Sequence, residues 1–207
     1  MEKNMPVAFR TGNRVFIGPT MKEDVPLITK FINDQEVHQY LTIDRPQTIE
    51  DEEKWHSGLS DRKSDIIFAT RLTGTKELIG IQGLHHVNLR DGTATMGYFI
   101  GRKDLWSKGY GTEAQMLLLE YAFNTLNLHR VSAEVYDFNP RSKRCLEKCG
   151  YVIEGVQKEY RYRNGRRADC IMLAVFKRDF LPIFEKYRKE HFEEKVKQSK
   201  KPRAKRS

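Results

Sequence analysis

The stretch GYFIGRKDLWSKGYGTEA, residues 97–114, places an apolar strand, a loop with two glycines and a helix start in immediate succession. Apart from proline, glycine is the poorest helix former, so Gly109 and Gly111 do not stabilise the helix that they precede. The first N–H groups of a helix have no acceptor within it and carry a partial positive charge. Glycines let a ligand approach such groups closely, and the stretch therefore predicts a cradle for an anion such as a diphosphate.

Common phosphate-binding motifs do not account for this cradle. The chain has no G-x-x-x-x-G-K-[ST] loop, and the pattern G-x-G-x-x-G fails because Ala114 occupies the third glycine position. The spacing of Thr112 and Gln115 predicts a capping box at the helix start. A glycine pair before a helix also occurs in tight turns, so the neighbouring segments must decide between a turn and a ligand site.

The elements alternate between strands and helices, which predicts a single α/β (α+β) domain on a mixed sheet. Strands are predicted at 14–18, 65–71, 77–84, 96–100, 130–136, 151–154 and 170–176, with a hairpin turn at Asn164-Gly165. Helices are predicted from a capping box at Thr20 to Val37, from Thr48 through Trp55, after the glycine pair, from Asn139 to Gly150, and from Lys177 onward.

The charge is concentrated at the end of the chain. Seven of the last 13 residues, KVKQSKKPRAKRS, are Lys or Arg and none is acidic, so the net charge of +9 falls to +2 without them. We therefore expect a domain at 10–182 followed by a basic, helical to disordered tail at 183–207. Such a tail either contacts RNA, the ribosome or another acidic partner, or is simply a solvated end.

The composition, the N-terminal residues and the cysteines all indicate a cytoplasmic protein. The chain has 207 residues, of which 39% are hydrophobic and 11% aromatic, and these values are typical of a folded domain. Its N-terminus has no apolar signal region and no run is long enough to span a bilayer, so we expect no membrane association. Three cysteines, Cys145, Cys149 and Cys170, suit a reducing compartment. For Cys145 and Cys149, four residues apart on one helix, core packing is the favoured role, and no metal site is predicted.

The quoted stretch and the segment RVSAEVYDFNPRSKRCLEKCGYVIEG, residues 130–155, closely resemble the GNAT superfamily of acyl-CoA-dependent N-acetyltransferases. The similarity extends over about residues 13–180 and is strongest to the branch that contains ribosomal-protein N-terminal and spermidine acetyltransferases. It implies a splayed sheet whose two central parallel strands, 96–100 and 131–136, open into a V with flanking helices. It also implies that acetyl-CoA is the acyl donor.

The resemblance also implies the residues that hold the coenzyme. The pantetheine arm would pair with backbone in the V, and the pyrophosphate would bind the amides of the glycine loop. The start of the next helix would lie beside the coenzyme. Its basic residues would contact either the 3′-phosphate or only solvent. The residues concerned are Phe99 and Ile100; Lys108, Gly109, Tyr110, Gly111 and Thr112; and Asn139, Ser142 and Arg144, with Arg141 and Lys143.

The expected chemistry is direct attack of an amine on the thioester, which needs a base for the amine and a proton for the leaving thiolate. Many family members carry, seven residues after the position of Asn139, a tyrosine that gives a proton to the thiolate, where this chain has Leu146. Many also carry a glutamate near the position of Thr95-Met96, and this chain lacks it. Candidate bases are therefore Glu134, His85 and His86. Candidate acids are Tyr136, Tyr160 and Tyr162.

The acceptor is an amine of a protein N-terminus, a peptide or a small molecule, and the segments 38–48, 50–53 and 160–167 are expected to frame its site. The basic hairpin 160–167 disfavours a polycation and favours an acidic peptide or a nucleotide-linked amine. Two alternatives stay open: an acyl-CoA-binding regulatory module without turnover, and an RNA- or ribosome-associated protein that acts through its tail. A homodimer is also compatible with the sequence.

Overall fold

The computed structural model describes residues 5–193 and contains one mixed sheet of eight strands. The strands lie side by side in the order β1-β2-β3-β4-β5-β6-β8-β7, and the described pairs are antiparallel except for β5 with β6. This confirms the predicted mixed sheet. The strands are β1 (Arg10–Thr11), β2 (Val15–Gly18), β3 (Ile66–Leu72), β4 (Leu78–Asn88), β5 (Thr93–Ile100), β6 (Arg130–Tyr136), β7 (Val152–Arg163) and β8 (Arg166–Phe176).

Helices flank both faces of the sheet. They are α1 (Val25–Asn33), α2 (Gln35–His38), α3 (Ile49–Ser57), α4 (Tyr110–Glu120), α5 (Pro140–Lys148) and α6 (Lys177–Arg188). A π-helical turn, Tyr121–Thr125, extends α4. None of the helices in the described part is long and apolar enough to cross a membrane.

The first predicted helix is interrupted. Instead of a capping box at Thr20, the backbone N–H of Met21 donates to Asp24 Oδ2 at 2.8 Å and opens a short 3₁₀ turn, so that prediction was wrong by one residue. Asp34 then separates α1 from α2, because its carboxylate accepts from two N–H groups at the start of α2. The predicted cap at Thr48 is confirmed by reciprocal bonds of 3.1 Å with Asp51.

The sheet buries apolar side chains on both faces. One face packs against α4, α5 and α6, with Leu118, Phe123 and Phe180 fully buried, and the other packs against α1 through Ile28 and Phe31. Helix α6 runs through position 182, where the sequence places the end of the domain, and Phe184 beyond it packs into the same core. The basic tail lies largely outside the described residues.

The last two strands are longer than predicted and form a hairpin that extends beyond the rest of the sheet. Asn164 and Gly165 both have positive φ, at 50° and 79°, as the predicted two-residue turn requires. The sequence indicates only the inner end of β7, because residues 155–163 are mostly polar and both faces of this edge strand are exposed. The hairpin thereby brings four arginines to one corner of the molecule, Arg161, Arg163, Arg166 and Arg167.

Candidate active site

The sheet opens between its two parallel strands. β5 and β6 are paired only at Thr93–Arg130, Ala94–Val131 and Thr95–Ser132, and each then continues on its own, held by its outer neighbour. The hydroxyls of Thr95 and Ser132 meet at 3.1 Å where the pairing ends. The predicted V therefore begins directly above this hydroxyl pair.

Backbone alternation decides which groups of β5 face the V. The N–H of Gly101 donates to Ile79 O of β4 at 2.8 Å, so in an antiparallel ladder Phe99 also points its backbone toward β4. Ile100 and Tyr98 then direct their backbone groups into the opening. Because Phe99 points its backbone groups toward β4, we favour Tyr98 over Phe99 as the second backbone contact for a pantetheine arm. The carbonyl of Ile100 accepts the indole N–H of Trp106 at 2.7 Å.

Helix α4 begins at Tyr110 beside this opening. Its N-cap is Gly109, in the left-handed region at φ 85°, and the first helical N–H with an acceptor in the helix is that of Glu113, bonded to Gly109 O at 3.0 Å. The N–H groups of Tyr110, Gly111 and Thr112 thus point out of the helix end. The geometry agrees with an anion cradle at the loop 108–112.

The predicted capping box of Thr112 and Gln115 was wrong. The helix starts three residues earlier than that box requires, and both side chains turn inward to Cys145, where Thr112 Oγ1 and Gln115 Nε2 each lie 3.3 Å from the sulfur. Gly109 can serve as N-cap without a side-chain acceptor, and this leaves the helix end open for a ligand.

An ion pair between the buried Glu113 and the partly exposed Arg14 fixes the cradle to β2. Glu113 is 1% exposed and accepts from Arg14 Nε at 2.9 Å, while its other oxygen accepts the backbone N–H groups of Arg14 and Val15. Arg14 in turn donates to Lys108 O at 2.8 Å. Burial opposes the charge of Arg14, but the hydrogen bond and charge of Glu113 outweigh it and raise the pKa of the guanidinium. The charge of Glu113 is therefore neutralised by Arg14, and the outer surface of the cradle carries N–H groups.

The start of α5 lies on the other side of the opening. Asn139 Oδ1 accepts the N–H of Ser142 at 3.1 Å, as the predicted cap requires, and Ser142 Oγ accepts the hydroxyl of Tyr98 at 3.2 Å from β5. Arg141 stacks on Trp106, with its guanidinium carbon 3.7 Å from the ring centroid, and Arg144 is exposed. Asn139 and Ser142 are thus next to the V, while Arg144 has an exposed side chain on the same helix.

Glu134 and Tyr136 lie on the face of β6 opposite the α4 core. Glu134 is exposed, and its carboxylate lies 3.7 Å from Cys170 Sγ; burial and this carboxylate raise the pKa of Cys170 to about 11. Tyr136 is 7% exposed, and its hydroxyl accepts from Arg161 Nε at 3.0 Å. Tyr160 and Tyr162 are 51% and 63% exposed along the hairpin.

The two adjacent histidines have different surroundings. His85 pairs with Thr95 across the ladder, and its Nε2 lies 3.3 Å from the position that a Cβ on Gly97 would take, so it lies over β5 beside the V. His86 is exposed at a bulge with φ 52°, and its N–H donates to Asp65 Oδ1. The geometry therefore favours His85 as the histidine that reaches the opening.

The hairpin holds the loop at 41–44, which belongs to one of the segments that the sequence analysis expects to frame the acceptor site. Arg163 Nη2 donates to Leu41 O at 2.9 Å and Ile43 O at 3.0 Å, and it pairs with Asp44. Aromatic rings continue from this loop to β6, with Tyr40 stacked on Phe138 and Phe138 on Tyr136. Arg163 belongs to the hairpin that the sequence analysis expects beside this loop, whereas Glu113 and Trp106 were missed because each acts on an element far away in the chain.

These residues fit a donor that carries a diphosphate and an extended amide arm. An open helix end with a positive-φ glycine follows a strand whose backbone groups face the opening, with Arg14 beside Gly109 and Arg141 stacked on Trp106. In the described part of the chain, the acidic, histidine and cysteine side chains form no group of three that could hold a metal ion.

Comparison with known proteins agrees with this architecture. Residues 14–152 match the family described as Acetyltransferase (GNAT) domain. An uncharacterized N-acetyltransferase, p20 of Bacillus licheniformis, is 31% identical over 168 residues, which cover 76% of this chain and 90% of p20. Spermidine N(1)-acetyltransferase of Vibrio cholerae is 30% identical over 51% of this chain and 61% of its own length.

A solved structure shows the same fold. The spermidine N-acetyltransferase from Vibrio cholerae, crystallised in complex with CoA and spermine, has a TM-score of 0.75 at 23% identity, over 81% of this chain and 98% of that one. The family match spans two thirds of the chain and includes the cradle, the V and the start of α5. The chain therefore belongs to the GNAT acetyltransferase family.

Proposed function

We propose that the protein transfers the acetyl group of acetyl-CoA to a primary amine by direct attack of the amine on the thioester. One observation carries the proposal: the open N-terminus of α4 lies beside parallel strands that separate after Thr95 and Ser132. The cradle at 108–112 would hold the pyrophosphate, and the V would receive the acyl arm. The Vibrio cholerae relative that binds CoA supports this assignment.

Glu134 and His85 would prepare the amine. An amine with a pKa of about 8 to 10 is mostly protonated at pH 7, so its proton must pass to a base before attack. Both side chains belong to one face of the sheet, because Thr95 and Ser132 meet across the V, His85 pairs with Thr95, and Glu134 is two residues from Ser132. We propose that one of them, directly or through water, accepts this proton.

Free backbone N–H groups along the V edge of β5 would stabilise the negative charge that develops on the acetyl oxygen. For the leaving thiolate, Tyr136 is the proposed proton donor. Its hydroxyl accepts from Arg161, so the hydroxyl's own proton stays available for donation. The usual tyrosine position carries Leu146, which is 1% exposed and buried in the core.

The acceptor we propose is an amine on an acidic peptide or a nucleotide-linked amine. Arg161 lies beside Tyr136, the proposed proton donor. The guanidinium carbon of Arg166 lies 5.6 Å from the ring centroid of Phe138. Guanidinium groups attract carboxylates and phosphates and repel polyamines. One relative is named for spermidine, a cationic amine, and this chain would differ from that protein through its arginine-rich hairpin.

Calorimetric titration of acetyl-CoA into wild type and Gly109→Trp, followed by thiol release with a panel of amines, tests the proposal. We expect binding that the variant loses, and release that is faster with amines on acidic peptides than with spermidine. Preference for spermidine would overturn the acceptor assignment, and no binding would overturn the coenzyme site.

One alternative function keeps a specific observation in its favour. The buried Leu146 removes the family's usual acid, as in a module that binds acyl-CoA without turnover. Tight coenzyme binding with no thiol release for any amine would establish that alternative.

The proposed RNA or ribosome contact of the tail, which lies outside the described residues, would appear as salt-dependent binding that deletion of 195–207 abolishes. Cytoplasmic location and a homodimer stay predictions.

A further inference from the structure

Cys145 occupies an unusual place beneath the coenzyme cradle. It is the one partly exposed member of the three cysteines, all of which are free, and its sulfur lies 3.6 Å from the position that a Cβ on Gly111 would take. The proposed transfer reaction does not use a thiol. The other two, Cys149 and Cys170, are fully buried.

Polar groups converge on this sulfur. Thr112 and Gln115 of α4 contact it at 3.3 Å, and Cys149 follows one turn later on α5. The Gln115 side chain is completely buried, and its Oε1 has no hydrogen-bond partner in the described structure, nor has the buried hydroxyl of Tyr151. Apolar packing alone would not collect unsatisfied polar atoms around a thiol that is only partly exposed.

From this geometry we propose that Cys145 is a modification site, a thiol that exchanges with low-molecular-weight disulfides and, once modified, blocks the coenzyme groove. The blocking step rests on the proposed function, since it assumes that the groove holds the coenzyme. The groove's own cargo is a thiol, so the disulfide of coenzyme A belongs to the same class of reagent as glutathione disulfide.

The surroundings favour the reactive thiolate. The hydrogen bond from Cys149 is the largest influence, and with those of Thr112 and Tyr98 and the charge of Lys148 it outweighs burial and lowers the pKa of Cys145. From α4, the contacts Thr112 and Gln115 do not titrate, and the positive end of that helix adds to the effect. The pKa of Cys149 is raised instead, by its bond to Cys145 and by burial.

The exchange is balanced without an external redox partner. The Cys145 thiolate attacks one sulfur of the disulfide R–S–S–R, a new Cys145–S–S–R bond forms, and the old S–S bond breaks. The departing R–S⁻ takes up a proton from solvent. The group R would then have to displace the packing of Tyr98 and Ile100 against Gly111, in the first turn of α4, and so distort the cradle. A reductant reverses the step.

Intact-mass analysis of the full chain treated with glutathione disulfide, and separately with coenzyme A disulfide, tests the proposal. We expect a single adduct that maps to Cys145, is absent in Cys145→Ser, persists in Cys170→Ser, and forms more slowly when acetyl-CoA is present. Its rate should rise with pH through a midpoint below the ordinary thiol value of about 8.5. An adduct on Cys149 or Cys170, or none, would overturn the proposal.

Calorimetry of the modified protein tests the blocking step. We expect acetyl-CoA affinity to fall at least tenfold in the adduct and to return after dithiothreitol. Unchanged affinity of the adduct overturns the block. If unmodified protein does not bind acetyl-CoA, the proposed function fails, whereas the mass analysis still decides whether Cys145 is modified. Cys145→Ala provides a second variant where serine disturbs folding.

Discussion

The carboxylate of Glu113, in the first turn of α4, pairs at 2.9 Å with the guanidinium of Arg14, just before β2, although 99 residues separate them in sequence. This pair and the bond from Arg14 to Lys108 O hold the cradle loop against the N-terminal part of the sheet. The proposed diphosphate site is therefore built jointly by two distant segments.

Glu113→Ala removes that connection and leaves two backbone N–H groups without their acceptor. We expect the free energy of unfolding in urea to fall by about 3 kcal/mol, since a buried partner of an ion pair is lost. Acetyl-CoA affinity should fall as well, because the loop is released. Glu120→Ala is the matched control: its pair with Arg10 is partly exposed and its loss should cost about 0.5–1 kcal/mol. Equal losses in the two variants would contradict this role of Glu113.

Gly109→Ala tests the conformation of the cradle. At φ 85° a side chain costs roughly 1–2 kcal/mol, and the new Cβ would lie 3.1 Å from Arg14 Nη2. We expect weaker acetyl-CoA binding in calorimetry. Gly165→Ala carries similar backbone strain at φ 79° with no neighbour within 4 Å, so its coenzyme affinity should match wild type. If both variants bind alike, the glycine serves only the turn.

The two histidines provide a test of the acceptor side. Because His85 lies over Gly97 and His86 is exposed at a bulge, we expect His85→Asn to reduce kcat at pH 7 and His86→Asn to leave it nearly unchanged. Glu134→Gln is the companion variant. The residue that acts as general base should show a loss of about 10²–10⁴-fold and a changed pH profile of kcat/KM. A larger loss in His86→Asn would reverse the assignment.

Asp65 supports a prediction for the stability at low pH. Burial raises its pKa, but the N–H of His86 and the side chain of His85 outweigh burial and lower it below 3.8. A carboxyl whose folded pKa is depressed stabilises the fold above its unfolded pKa, and this stability is lost as pH falls through the folded value. In Asp65→Asn, the decline in unfolding free energy below pH 4 should therefore be shallower than in wild type. An unchanged slope would show that Asp65 is not linked to folding.

Local signals explain which parts of the fold and site could be predicted. The caps at Thr48 and Asn139, the hairpin turn at Asn164-Gly165 and the glycine loop each depend on neighbours within a few residues, and the structure has them where the sequence indicated. The motif resemblance predicts the V between β5 and β6. Its extent is known only from the register of these two strands in the structure.

Distant contacts explain the rest. Glu113 has the position of an ordinary acidic residue in a first helical turn, and only the fold brings Arg14 to it. Thr112 and Gln115 have capping-box spacing, but the sulfur of Cys145 on another helix attracts both side chains. The different surroundings of His85 and His86, both candidate bases in the sequence, depend on a bulge that shifts the register of β4, which the local sequence pattern does not indicate.

Arg163 offers a test of the acceptor loop alone. Its Nη2 donates to two carbonyls of the loop and pairs with Asp44, and a lysine keeps the charge but lacks the planar fork that serves these partners together. We expect Arg163→Lys to raise KM for the amine several-fold while the dissociation constant of acetyl-CoA stays the same. Arg167→Lys, on the exposed side of the same hairpin, should alter neither value. If coenzyme affinity falls with KM in Arg163→Lys, the loop supports the whole groove, and the separation of donor and acceptor sites proposed for this chain is wrong.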